Sequence, residues 1–197
     1  MDLTSGSSKI QKGFQIRFHL AVFTMPRNVE IKARVNNVKE LHKRAAELSS
    51  SEGSVLEQED TFYNSPQGRL KLRVIKDTKE ELIYYERPDE DGPKCSDYVK
   101  IECTNGFLSG DMNKLLSRCL GQRGHVSKTR TLYLVGQTRV HVDSVDNLGD
   151  FMELEVVLND DQTLEEGEKI ARDLQQKLGI SENDLCSEAY MDMILKK

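Results

Sequence analysis

Residues 28–35 read NVEIKARV. Every second residue, Val29, Ile31, Ala33 and Val35, is apolar, and between them stand Asn28, Glu30, Lys32 and Arg34. A period of two predicts a β-strand with one buried face. The other face carries an acid and two bases; alone this is also the pattern of a half-solvated antiparallel sheet, so its weight depends on whether other strands repeat it.

The same pattern returns along the chain. Strands are predicted over 57–64 (EQEDTFYN), 69–76 (RLKLRVIK), 81–88 (ELIYYERP), 97–103 (DYVKIEC), 126–135, 137–145 and 151–158 (FMELEVVL), which with the first stretch makes eight. Lys71 and Arg73 share a face opposite Leu70, Leu72 and Val74. Lys100 and Glu102 oppose Val99 and Ile101, and Lys128 pairs with Arg130. Arg139, His141 and Asp143 oppose Val140 and Val142, while Glu153 and Glu155 oppose Met152, Leu154 and Val156. Same-sign pairs thus sit two apart in four strands: Lys32/Arg34, Lys71/Arg73, Lys128/Arg130 and Glu153/Glu155.

Helices are predicted over 37–50, 109–120, 163–179 and 188–195. Asn37 with Glu40, and Thr163 with Glu166, have capping-box spacing. The second helix is read as burying Met112, Leu115, Leu116 and Cys119, and the third Ile170, Leu174 and Leu178. Gly136 separates two strands as a tight hairpin, and 121–125 (GQRGH) reads as a turn, since it follows a helix and lacks the rest of a phosphate-loop motif. Eight short strands with hairpin-scale links imply an antiparallel sheet, and closure into a barrel removes its edges. The fold class is therefore α+β: an eight-stranded antiparallel β-barrel with helices packed outside. The helices need the apolar faces, so the charged faces point into the barrel.

The chain has 197 residues, enough for one domain, read as 26–197 after an N-terminal extension over 1–25. That extension is basic and Ser-containing, and is expected to be disordered; a mitochondrial-type presequence is its other reading. Net charge is −5, which argues against nucleic acid as a partner, and no apolar run has the length of a membrane span. The four cysteines form no CxxC pair and read as reduced thiols of a cytoplasmic protein.

A lumen lined by Lys and Arg is costly unless a polyanion fills it, and clustered Glu is costly unless a divalent metal joins them. Both together suggest a metal-bound triphosphate, with oxygen ligands favouring Mg2+ or Mn2+. NVEIKARV, EDTFYN, LKLR, LIYYERP, SKTRTLYLVG and VHVDSVDNLGDFMELE, in this order, resemble the CYTH superfamily, the triphosphate tunnel enzymes that include CyaB-type class IV adenylyl cyclases and thiamine triphosphatases. The last stretch resembles the CyaB-like branch. The resemblance implies an eight-stranded tunnel and metal ligands at Glu30, Glu153 and Glu155, with Asp143 as a helper. It implies phosphate binding by Lys32, Lys71, Arg73, Arg87, Lys128, Arg130 and Arg139, and places catalysis on Glu30, Lys32, Glu153 and Glu155. Strand parity separates Glu86 from Arg87 without saying which faces inward, and Arg34 lies towards its strand's end. The family's ExExK falls on Asn28, Glu30 and Lys32, so Asn28 removes one negative charge.

The expected substrate is a triphosphate-containing small molecule, namely ATP, thiamine triphosphate or tripolyphosphate, with the protein a monomer or homodimer. Hydrolysis of a phosphoanhydride is the first expected reaction, cyclisation of ATP to cyclic AMP the second, and binding with little turnover the third. His141 reads first as a hydrogen-bonded structural histidine and second as a base or phosphate donor.

Overall fold

The computed structural model describes residues 27–89, 92–103 and 108–197. The extension over 1–25 lies outside the described residues. Eight strands are present among the described residues: β1 (Arg27–Arg34), β2 (Ser54–Tyr63), β3 (Arg69–Ile75), β4 (Lys79–Glu86), β5 (Lys94–Cys103), β6 (Gln122–Val135), β7 (Thr138–Val145) and β8 (Gly149–Val157). Helix α1 (Val38–Ser49) follows β1. A π-helical turn, Leu108–Met112, leads into α2 (Asn113–Leu120). Helix α3 (Leu164–Leu178), a 3-10 turn (Glu182–Asp184) and α4 (Tyr190–Leu195) end the chain.

The strands close into a barrel in the order β1-β5-β4-β3-β2-β6-β7-β8, with antiparallel pairing throughout. The β1–β8 seam sets Glu30 opposite Glu155 and Lys32 opposite Glu153. The helix starts are as expected. Asn37 Oδ1 accepts the Glu40 N–H at 3.2 Å, and Thr163 with Glu166 forms a reciprocal capping box.

The outward faces form the core. Val29, Ile31, Ala33, Val140, Val142, Met152, Leu154 and Val156 are buried beneath Leu41 and Ala45 of α1 and Leu174 and Leu178 of α3. Each such side chain contributes about 1.5–3 kcal/mol on burial. Helix α3 lies so close that a Cβ at Gly167 would stand 2.6 Å from Leu158 and 2.7 Å from Val29. A second cluster joins Tyr63 and Leu72 to Leu108, with Met112 and Leu116 packed against it. Here the expectation for the second helix is corrected: Leu115 is 56% exposed and Cys119 is exposed. The wide π turn changes the helical phase, so the facing positions become 108, 112 and 116. Among the described residues no helix covers the outer face of β5, where Val99 and Ile101 are 44% and 56% exposed.

A second correction concerns 121–125. Only Gly121 lies outside the sheet; Gln122, Gly124 and His125 belong to β6 and pair with Tyr63, Phe62 and Thr61 of β2. The two glycines mimic a turn, but Gly124 serves packing, since a Cβ there would lie 2.5 Å from Met191 Cε. That contact belongs to the third cluster, in which Tyr190, Met191 and Met193 of α4 pack on Phe62, Val126, Val145 and Phe151. Phe62, Val126 and Phe151 point inward, so α4 stoppers one end of the barrel. Among the described residues no helix is long and apolar enough to cross a membrane.

Candidate active site

Strand parity turns the polar faces into the barrel, around a cavity of about 310 Å³. Ten of the eleven residues singled out from the sequence line it: Glu30, Lys32, Lys71, Arg73, Arg87, Lys128, Arg130, Arg139, Glu153 and Glu155. The eleventh, Asp143, is wholly buried behind Arg130. Arg87 is the inward residue of its pair; Glu86 is exposed. Arg34 is exposed beyond the cavity, its guanidinium 5.0 Å from the Phe151 ring centre.

Nine basic side chains and five carboxylates line the cavity among the described residues. The surplus positive charge is held in a low-dielectric wall, which makes the interior a receptor for a polyanion. Each carboxylate is tied to bases. Asp60 accepts from Lys71 Nζ at 3.0 Å and from Arg73 Nε and Nη2 at 2.7 and 2.8 Å. Asp143 takes Arg130 in a fork with both contacts at 2.6 Å, and accepts the Tyr190 hydroxyl at 2.9 Å. Glu30 pairs with Arg87 Nη1 at 3.0 Å. Glu153 pairs with Lys32 Nζ at 3.1 Å and with Arg130, and Glu155 lies 3.3 Å from Arg139 Nε.

These surroundings separate the proton affinities. Burial raises the Glu30 carboxyl above its ordinary value; Arg87 opposes this, and the nearby Glu155 and Glu153 reinforce it. For Glu153 burial is outweighed by Lys32 and Arg130, which hold the carboxyl well below the usual range. Burial works to raise Glu155 too, but Arg139 and Arg130, with His141 when that ring is protonated, hold it below its ordinary value. Burial, with Arg130 beside it, brings the Lys128 ammonium down to about 7. Burial, with Arg87 and Lys32, brings Lys94 down to about 8. His141 is brought down to about 4 by burial and Arg130, so its ring is neutral at pH 7.

The donor set suits a divalent cation. Ligand atoms of His141, Glu153 and Glu155 lie within 4.8 Å of one another. His141 Nδ1 and Asn28 Oδ1 are buried without a hydrogen-bond partner among the described residues. A structural histidine would have that nitrogen satisfied.

Among the residues that escaped the sequence reading are Lys79 and Glu81, which line the cavity, and four that shape its walls and floor. Asp60 sits under Lys71 and Arg73. Lys94 donates to the Ser187 carbonyl at 3.2 Å, as Lys32 does to that of Glu188 at 3.1 Å. Tyr85 lines the wall. Tyr190 floors the cavity, with Lys32 Nζ 4.0 Å and Lys128 Nζ 5.0 Å from its ring centre. Parity was the available signal for the strand residues: Asp60 falls two positions before Phe62, and Tyr85 two before Arg87. No local signal marked Tyr190.

A closed antiparallel barrel with a charged lumen invites comparison with known proteins. The model of the CYTH domain family matches residues 26–190. Adenylate cyclase CyaB of Aeromonas hydrophila is 26% identical over 143 residues, 68% of this chain and 70% of that protein. The solved structure of the PH1012 protein from Pyrococcus horikoshii OT3 matches with a TM-score of 0.70 and 27% identity, covering 84% of this chain and 98% of that one. A conserved hypothetical protein from Pyrococcus furiosus shares the fold at a TM-score of 0.69 and 21% identity, over 84% of this chain and 98% of that one. The family match spans the barrel and nearly all of the described residues after it, and the chain belongs to the CYTH family.

Proposed function

We propose that this protein is a metal-dependent enzyme that hydrolyses a phosphoanhydride bond of an organic triphosphate or of inorganic tripolyphosphate. The observation that carries the reading is the lumen itself, in which nine bases surround a patch of three carboxylates, Glu30, Glu153 and Glu155. A triphosphate bears about the charge that this surplus asks for, and phosphoryl transfer needs chiefly positioning and charge neutralisation. Lys71, Arg73, Arg87, Arg130 and Arg139 grip phosphate oxygens from the strand walls, with Lys32 and Lys128 nearest the Tyr190 floor. Asp60 and Asp143 hold the guanidinium planes of Arg73 and Arg130 in fixed forks, so these donors are preorganised. Glu30, Glu153 and Glu155 would hold a divalent ion, Mg2+ or Mn2+, which when bound would supply charge neutralisation for the phosphate oxygens. The stoppered end keeps the substrate's phosphates against the bases and excludes bulk water.

The second reading is cyclisation of ATP, in which the ribose 3′-hydroxyl attacks the α-phosphorus and pyrophosphate leaves. It is supported by the similarity to the Aeromonas adenylate cyclase CyaB. Both reactions use one lumen and differ in which phosphorus meets the nucleophile. Product analysis decides between them. Purified protein with Mg2+ or Mn2+ is given ATP, thiamine triphosphate and tripolyphosphate separately, and products are resolved by phosphorus NMR. Orthophosphate is expected, and should vanish in Glu153→Gln. Cyclic AMP with pyrophosphate would establish the cyclase instead, and turnover unchanged in Glu153→Gln would overturn the assignment of this cavity.

A further inference from the structure

We propose that His141 is an inner ligand of the metal site, through Nδ1, so that with Glu153 and Glu155 it forms a mixed nitrogen–oxygen site that takes a first-row transition ion such as Mn2+ in preference to Mg2+. The inference shares two carboxylates with the reading above but does not depend on its substrate.

His141 is 4% exposed, and its Nδ1 is buried without a hydrogen-bond partner among the described residues. An orphaned polar atom in a folded interior calls for an explanation in a bound water or ion, or in a function. This nitrogen is aimed at carboxylates: it lies 3.7 Å from Glu155 Oε1, and one ligand atom each from His141, Glu153 and Glu155 fall within 4.8 Å of one another. Ligands on one ion, at bonds of about 2.0–2.2 Å, stand up to about 4.4 Å apart. Small rotations of the two Glu side chains therefore close the set.

The placement is rigid. His141 of β7 stands directly opposite Glu153 of β8 in the ladder, and Glu155 is the next inward residue of β8. Two adjacent strands of a closed wall hold all three. The bases around them do not use up the carboxylates. Glu153 is oriented by Lys32 and Arg130 and Glu155 by Arg139, yet each carboxylate offers about four lone-pair directions. Such outer partners orient ligands in metal sites generally. Mg2+ favours oxygen alone, whereas imidazole suits Fe2+, Ni2+, Cu2+ and Zn2+ best and Mn2+ stands at the weak end of that first-row series, so one nitrogen among the ligands tilts selectivity away from Mg2+.

The test uses the full chain, stripped of metal, with no phosphate compound present. One equivalent of Mn2+ is added, and pulsed EPR reads the nitrogen modulation of a directly bound imidazole. The modulation is expected in the unaltered protein and absent in His141→Gln. In parallel, Mn2+ affinity from water-proton relaxation should fall about tenfold or more in His141→Gln and in His141→Asn, while competing Mg2+ changes less than about twofold. Mn2+ bound without nitrogen modulation, no Mn2+ retained, or equal weakening for both ions would each overturn the proposal. The spectrum of the unaltered protein needs no variant to fold. Phosphate release from tripolyphosphate with Mg2+ is a separate readout: its failure would strike the hydrolase reading and leave the nitrogen ligand standing, and the reverse holds equally.

Discussion

At Asp60 a single carboxylate, 2% exposed, compensates two buried bases, Lys71 and Arg73. Burial alone would raise its proton affinity, but Arg73 and Lys71 hold it well below the usual range. Breaking such a pair from one side leaves uncompensated buried charge, which costs about 3–5 kcal/mol. Asp60→Asn keeps the shape and removes the charge, so calorimetry should show that loss, with the melting temperature falling by about 2–4 °C per kcal/mol. Saturating tripolyphosphate should stabilise the variant more than the unaltered protein, because the anion replaces the missing charge. A loss under about 1 kcal/mol would mean that Lys71 and Arg73 do not need this partner. The sequence made Lys71 and Arg73 easy to place, because Leu70, Leu72 and Val74 alternate with them. Asp60 was harder, since EQED carries polar residues at both parities and the aromatics that follow, Phe62 and Tyr63, put one ring on each face. Lys94 lies three residues before the predicted start of its strand, beside glycine and proline, where periodicity has too few positions to act on.

Among the elements, α4 is the shortest helix and the one that shapes the cavity's end. Its lead-in is fastened by Lys32 and Lys94 to the carbonyls of Glu188 and Ser187, and Tyr190 reaches Asp143. A helix over 188–195 was legible from its apolar spacing, but its seat was not. The Tyr190–Asp143 contact spans 47 residues of sequence, and nothing local announces which end of a barrel a terminal helix will close. The same long-range packing explains Gly124, which a local reading assigns to a turn and which the fold uses to admit Met191. Two substitutions separate ring from hydroxyl. Tyr190→Phe leaves the ring against Phe151 and beneath Lys32, and deprives Asp143 of one donor, at about 1–3 kcal/mol. Tyr190→Ala removes the whole floor, at about 3–5 kcal/mol. Chemical denaturation should rank Ala as the more damaging; equal losses in the two variants would mean that the hydrogen bond, rather than the ring, seats α4.

Over the whole molecule, charge is segregated by closure of the sheet. The chain carries a net −5, yet its lumen is lined by nine bases against five carboxylates among the described residues. Composition alone conceals this, whereas strand parity exposes it once the helices are assigned to the apolar side. What parity does not give is the protonation state of bases pressed together, and that leads to a pH dependence. Burial, then Arg130 and Arg73, bring Lys128 down to about 7 from an ordinary 10.5. Between these two values the unfolded chain binds a proton that the folded one lacks, so the Lys128 contribution to stability rises with pH across that window. A bound polyanion reverses the preference, because it favours the ammonium over the neutral amine. At pH 8 the free protein has Lys128 largely neutral, and binding of tripolyphosphate should draw about one proton from solution. Affinity should therefore weaken as pH rises above 7. Titration calorimetry in two buffers of different ionisation heat measures the uptake. Lys128→Gln supplies the comparison, since protons exchanged by tripolyphosphate itself appear in both proteins and only the Lys128 share is lost. Equal proton counts for the two proteins would show that Lys128 is already charged in the empty lumen, and that Asp143 outweighs burial and Arg130 there.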